Sequence, residues 1–317
     1  MSAQSLGSRA IIGAYYARLE VASGQSWMTA ISNLFSSDQS SETYKWLGHV
    51  PAMREWIGGR NAKGFNDNGL TIINKHYEAT LQVDVADLRR DKTGQVMARV
   101  NDLADRTVSH WSSLMTTLIL NGPSTACYDG QFFFDTDHTE GNNTTSQSND
   151  IDVDISAMPV NTAAVGSVTA PAAAEMMFAI LKGIEAIMGF KDNENEPINE
   201  NAHNFVVMVP VALWSHAIAA VKALRINQGE DNVISVSGMN ISVEVNPRLT
   251  WTDSFAVFRT DSAVKPFIRQ QETDVQMTAI AEGSEEEFKN KRHLYGVEAW
   301  RNVGYGMWQS SCYVTMT

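Results

Sequence analysis

From Thr93 to Leu120 the apolar residues Val96, Val100, Leu103, Trp111, Leu114 and Leu118, together with Thr107, recur every three or four positions. That period places them on one face of an α-helix. At 1.5 Å per residue such a helix runs roughly 40 Å, longer than most small domains accommodate. A chain that commits so many residues to one rod must hang its other elements on it. Asp91 or Thr93 can cap its start, and Asn121, Gly122 and Pro123 carry the left-handed residue and the proline expected at its end.

The segment before the rod has a different pattern. Between Tyr44 and Arg90, two strand-like stretches flank GGRNAKGFNDNG, which reads as a long β-hairpin. In its second half Tyr77, Ala79, Leu81, Val83 and Val85 alternate with His76, Glu78, Thr80, Gln82 and Asp84. One face therefore needs an apolar cover, because a two-stranded hairpin is marginal in water. The cover is either the chain's own core or a neighbouring subunit. Upstream, Ile12 to Leu34 carry helical spacing broken at Ser23 and Gly24, giving two short helices.

Downstream, Gly141 to Asn149 reads as a flexible polar loop. Pro171 opens a helix to about Met188, NFVVMVP is a buried strand leading into a helix from Val211 to Leu224, and VISVSGMNISVEVNP reads as two strands about a turn. From Ser254 onward the chain is mostly strand, with a charged helix near Glu285 to Lys291 whose acidic and basic residues pair along a solvated face. Helices and strands mixed in this way indicate an α+β fold.

The chain of 317 residues carries 36 acidic and 24 basic side chains, a formal charge of -12. That sign repels phosphate backbones, which argues against specific nucleic-acid binding. Cys127 and Cys312 lack the spacing of a zinc site or a disulfide framework and suit a reducing cytoplasm. No stretch is apolar enough to span a membrane, and MSAQSLGSRAIIGAYYARLE lacks the basic and apolar regions of a signal peptide, so neither secretion by a signal peptide nor membrane insertion is expected. Phosphate-loop, GxSxG, HExxH and full GxGxxG motifs are missing.

The strongest cluster of chemical groups is Asp135, Asp137, His138 and Glu140 in YDGQFFFDTDHTE. Calcium is the metal such ligands suit. Against an EF-hand, Glu140 stands where glycine is needed and Ser146 where the bidentate glutamate belongs. The simpler reading is a turn whose aspartates bond their own backbone, beside Phe132 to Phe134 as a buried strand. No metal, cofactor or catalytic residue is expected.

ETYKWLGHVPAMREWIGGR, NKHYEATLQVDVADL, YDGQFFFDTDH and AVKPFIRQ, in that order, resemble the major head subunits of Mu-like tailed phages, and the resemblance covers nearly the whole chain. It implies the tailed-phage capsid fold of the Hong Kong 97 type. The arm would be 1–41, the extended hairpin 42–90, a peripheral segment 91–171 with the spine helix 93–120, the axial domain 172–249, and the return to the peripheral sheet with the C-terminal strands 250–317. It further implies a structural role: self-association as pentamers and hexamers into an icosahedral virion shell, assembled in the host cytoplasm around double-stranded DNA that is held without sequence preference. A scaffolding protein, a portal and decoration proteins would be partners, and Trp56, Arg60, Phe65, Ile73 and Tyr77 on the hairpin would meet neighbouring subunits. The cross-linking lysine, asparagine and acidic trio of covalently linked shells is not identified, and scaffolding would be a separate protein. A nanocompartment shell of the same fold and a soluble metal enzyme built on Asp135, Asp137 and His138 are the rival readings.

Overall fold

The computed structural model describes residues 7–22, 26–45, 69–90, 94–140, 143–158, 166–192, 195–223, 225–226, 230–236 and 238–317. In chain order the elements are α1 (Ser8–Ala22), α2 (Ser26–Ile31), β1 (Ser32–Ser36), β2 (Ser41–Tyr44), β3 (Leu70–Ile73), β4 (Lys75–Asp84), α3 (Val85–Arg90) and α4 (Gln95–Leu120). They continue with β5 (His138–Glu140), β6 (Asn143–Gln147), β7 (Asp150–Val153), α5 (Ala173–Gly189), β8 (Asn204–Val209), α6 (Trp214–Lys222), β9 (Arg225–Ile226) and β10 (Glu230–Asp231). The chain closes with α7 (Val233–Val236), β11 (Asn240–Val245), β12 (Ser254–Arg259), β13 (Phe267–Ile280), α8 (Glu285–Asn290), β14 (Arg292–Tyr305) and β15 (Ser311–Met316).

Helix α4 is the expected rod. Its buried stripe runs through Val96, Val100, Ala104, Trp111, Met115 and Ile119, so Leu114 and Leu118 lie at the flank of the seam. Its ends differ from expectation. Gly94, with φ of 74°, precedes the first turn without a side-chain cap, and Asn121 stays right-handed, leading into a 3-10 turn at Gly122–Ser124. Gly122 is needed for closeness: a Cβ there would lie 2.3 Å from the Phe134 ring.

Two sheets are built around this rod. The first has the order β1-β13-β14-β4, with β1 parallel to β13 and the other pairs antiparallel. Its inner face, carrying Tyr295, Val297, Leu81, Val83 and Met277, packs on α4 and on Ile11 and Tyr15 of α1. The alternation seen in β4 is thus covered by the chain's own core at Leu81 and Val83. Helix α1 is tied along the rod as well, by the Tyr15 phenol donating to Thr107 Oγ1 (3.1 Å) and by Arg18 forking onto Asp105 (2.8 Å for each bond).

The second sheet has the order β11-β8-β12-β15-β7 and packs on α5 and α6 in the larger core. Gly183 brings α5 down onto Val257 and Val314, which a Cβ would meet at 3.0 Å. The buried Glu175 carboxylate reaches back to the Ala172 amide (2.7 Å) at the start of that helix. Only β13 and β14 of the C-terminal strands join the sheet on α4. β12 and β15 lie in this second sheet, beside β7 from the segment that precedes α5.

Three local readings need correction. VISV is the short helix α7 and not a strand; its β-branched residues favour strands, but Asn232 Oδ1 accepts the Ile234 amide and turns the chain there. Phe132 to Phe134 form a turn with a single bridge from Phe132 to Ala126, in which Phe132 is exposed and Phe133 and Phe134 are buried. Asn143–Gln147, expected as flexible loop, is strand β6 paired with β5.

Candidate assembly surface

The base of the hairpin is the part of the expected subunit interface on which β2 and β3 lie. β2 and β3 pair in the register Ser41↔Ile73, Glu42↔Ile72, Thr43↔Thr71 and Tyr44↔Leu70. Alternation sends Ile72 and Tyr44 inward, where they meet Ile268 and Phe35 in a small core of their own. This core lies on the face of the first sheet opposite α4. The approach is close because Gly304 in β14 has no side chain: a Cβ there would stand 2.3 Å from Ile72 Cδ1.

Uncharged polar groups lock the same junction. The Tyr44 phenol donates to Gln270 Oε1 (2.7 Å), and Gln270 Nε2 donates to Asn74 Oδ1 (2.8 Å) and the Ile72 carbonyl (3.2 Å). Asn74 Nδ2 donates to the Gln39 carbonyl (2.8 Å), and Asn302 Nδ2 to the Ile73 carbonyl (2.7 Å). Gln270 and Asn74 are buried and satisfied, so breaking one bond strands its partner away from water. Burial, and then the neighbouring Glu42 charge, pushes the Tyr44 phenol up to about 12.

Of the five residues expected at an interface, Trp56, Arg60 and Phe65 lie outside the described residues. Ile73 is on the outward face of the stem with 61% of its surface exposed. Tyr77 is half-buried on the opposite face of the sheet, edge-on to His110 of α4 with ring centres 4.3 Å apart. Ile73 and Tyr77 therefore do not share a surface. The residues that orient the hairpin, Asn74, Gln270 and Asn302, were not singled out from sequence. The signal was present in a buried-strand context, where an amide ends the apolar run TII and another follows PFIR.

The acidic cluster resolves into a structural knot. His138 is fully buried, stacked on Trp308 with ring centres 3.9 Å apart, its Nδ1 2.6 Å from Asp129 Oδ2 and its Nε2 3.2 Å from Asn149 Oδ1. Both ring nitrogens are thus engaged. Asp135 accepts the amides of Phe132 (3.0 Å) and Thr136 (2.7 Å), as in a self-bonded turn. Burial works to raise its pKa, but those two amides together with Asp137 and His138 outweigh it and hold the carboxyl below its usual range; Asp137, hydrogen-bonded to Asp135, is pushed up. Among the described residues, no three His, Cys, Asp or Glu side chains are arranged to hold a metal ion. Cys127 and Cys312 are both buried, and burial raises the Cys312 thiol.

The family model described as Mu-like prophage major head subunit gpT matches residues 10–159 and 240–316. The Mu-like prophage FluMu major head subunit of Haemophilus influenzae is 34% identical over 123 residues, 39% of this chain and 40% of that protein. The major capsid protein of Escherichia phage Mu is 32% identical over 108 residues, 34% of this chain and 35% of that protein. The chain thus spans well under half the length of these relatives in the aligned stretches. Among solved structures, the procapsid of bacteriophage JBD30 superposes with a TM-score of 0.56 at 21% identity, covering 97% of this chain and 74% of that one. A virus-like particle from Pyrococcus furiosus gives 0.55 at 9% identity, covering 96% and 98%. The satellite phage P4 procapsid gives 0.53 at 13% identity, covering 95% and 90%.

Proposed function

Because the chain belongs to the Mu-like prophage major head subunit gpT family and has the tailed-phage capsid fold of the Hong Kong 97 type, we propose that it is the major capsid subunit of a Mu-like phage head. Its work is geometric. Copies associate as pentamers and hexamers, and symmetry repeats each contact until the shell closes. The observation that carries this reading is the clamped hairpin base: a short two-stranded stem held by buried amides and by Ile72 on Gly304 gives the chain between β2 and β3 a fixed point of departure.

The segment assignments follow the same reading: arm 1–41, hairpin 42–90, peripheral segment 91–171, axial domain 172–249 and return 250–317. Scaffolding, portal and decoration proteins are its partners, and assembly takes place in the host cytoplasm. The charge of -12 suits a container that holds double-stranded DNA without binding it tightly.

Co-expression with the phage's scaffold, followed by sedimentation and negative-stain microscopy, tests the proposal. Closed shells are expected, and a chain that stays monomeric under those conditions overturns it. Nucleic acid inside particles assembled in an infection distinguishes a phage head from a nanocompartment, which would instead carry protein cargo. Gel shifts with duplex DNA should show weak binding without sequence preference at physiological salt.

A further inference from the structure

Between helix α4 and the strands β4 and β14 lies a largely apolar cavity of about 220 Å³, lined by Tyr77, Ala79, Leu103, His110, Val297 and Arg301. This is smaller than the roughly 300 Å³ at which small-molecule sites begin, and is of the size of one side chain.

Arg301 sets the chemistry of this cavity. It is 4% exposed, and its guanidinium stands 4.9 Å over the Trp111 ring. Nη2 donates to the Thr107 carbonyl (3.0 Å), while Nε is buried with no partner. Among the described residues, no carboxylate comes within ion-pair distance of it, although Arg18, Arg259 and Arg292 each have one. His110 Nδ1 is likewise buried and unpartnered. Burial lowers the Arg301 pKa to about 10, in line with a cation removed from water without compensation. A buried guanidinium is retained where a counter-charge completes it.

We propose that this cavity receives an acidic side chain of a second copy of this chain, with the carboxylate on Arg301 and the aliphatic stem between Tyr77 and Leu103. The inference rests on the capsid reading, which brings identical neighbours to fixed positions. Charge complementarity selects the occupant. The chain has 36 carboxylates against 24 cations, so its own surface offers acidic side chains in excess, and Arg301 offers a buried cation that no carboxylate of the described residues meets. Glu78 and Glu298 stand at the rim already engaged, Glu78 by the Thr80 hydroxyl (3.0 Å) and Glu298 by His76 (3.1 Å).

Arg301→Met, which keeps the length and removes the charge, tests the proposal. The isolated variant should melt at the wild-type temperature or above it, while particle yield at fixed concentration falls at least tenfold. A high-resolution map of wild-type particles should show an Asp or Glu of the adjoining copy within hydrogen-bond distance of Arg301. Particles from Arg301→Met in wild-type yield overturn the inference. So does a lowered melting temperature of the isolated variant, which would make Arg301 a strut for Trp111 and Thr107. A map that places water, a non-acidic residue or a scaffold chain in the cavity overturns it as well. Absence of particles from the wild-type chain would instead defeat the capsid reading itself.

Discussion

Ile72 rests on the bare backbone of Gly304, so close that a methyl group on that glycine would stand 2.3 Å from Ile72 Cδ1. Gly304→Ala therefore forces the hairpin stem away from the sheet or strains the strand that carries it. Overpacking of this kind costs about 1–3 kcal/mol. A urea melt of the variant should show a lower midpoint; an unchanged midpoint would mean that the stem yields freely.

Ile73 and Met115 separate two kinds of burial. Ile73 faces outward on the stem, whereas Met115 is fully buried on the inner stripe of α4. Ile73→Asp should shift monomer stability by less than about 0.5 kcal/mol, as surface changes do. If the outward stem face meets a neighbour, the same variant assembles poorly. Met115→Asp should abolish folding, since a charge enters the core unpaired. Circular dichroism melts alongside particle yields distinguish the two, and equal losses of monomer stability would place Ile73 in the subunit's own core.

Asp129 holds His138 in the knot behind Trp308. Asp129→Ala leaves a buried ring nitrogen without its partner, at about 1–3 kcal/mol. The denaturation midpoint should fall, and adding or chelating divalent cations should leave it unchanged in wild type and variant alike. Metal-dependent stability would revive the ligand reading of this cluster.

His110 sets an acid limb of the stability curve. Burial, then the charges of Arg301 and Arg248, lowers its pKa from 6.5 to about 4. Above 6.5 the ring is neutral in both folded and unfolded chains, and the contribution is complete. As the pH falls from there toward 4 the unfolded chain takes up the proton first, so stability is lost. Melts of wild type and His110→Leu at pH 7.5 and 4.5 should show a smaller acid loss in the variant; parallel losses would show that His110 does not titrate in this window.

Much of this was legible in the sequence, wherever one period ran uninterrupted. The rod α4, the helices α5 and α6, and the buried strand β8 each follow a single pattern, while α8 was legible from its paired charges. The interface was harder to read for a definite reason. Ile73 and Tyr77 are four positions apart, which in one continuous strand would put them on one face. The chain breaks at Asn74, so β3 lies on the outer side of the sheet while β4 runs within it, and the parity between the two is lost. VISV failed similarly, because one hydrogen bond from the Ile234 amide to Asn232 Oδ1 outweighed β-branched propensity. The cavity at Arg301 is walled by a helix and strands far apart in sequence, which no local pattern encodes.

The junction that aims the hairpin is made of Asn74, Gln270, Asn302 and the Tyr44 phenol, none of them an ion at neutral pH. Dissolved electrolyte weakens contacts between exposed charges but has little purchase on buried neutral dipoles. The exit direction of the hairpin is thus insulated from changes in ionic strength and in pH below the value of about 12 at which the Tyr44 phenol ionises. Any contact made between charges on the rest of the surface can be tuned by its medium, while the angle at which this one begins stays constant.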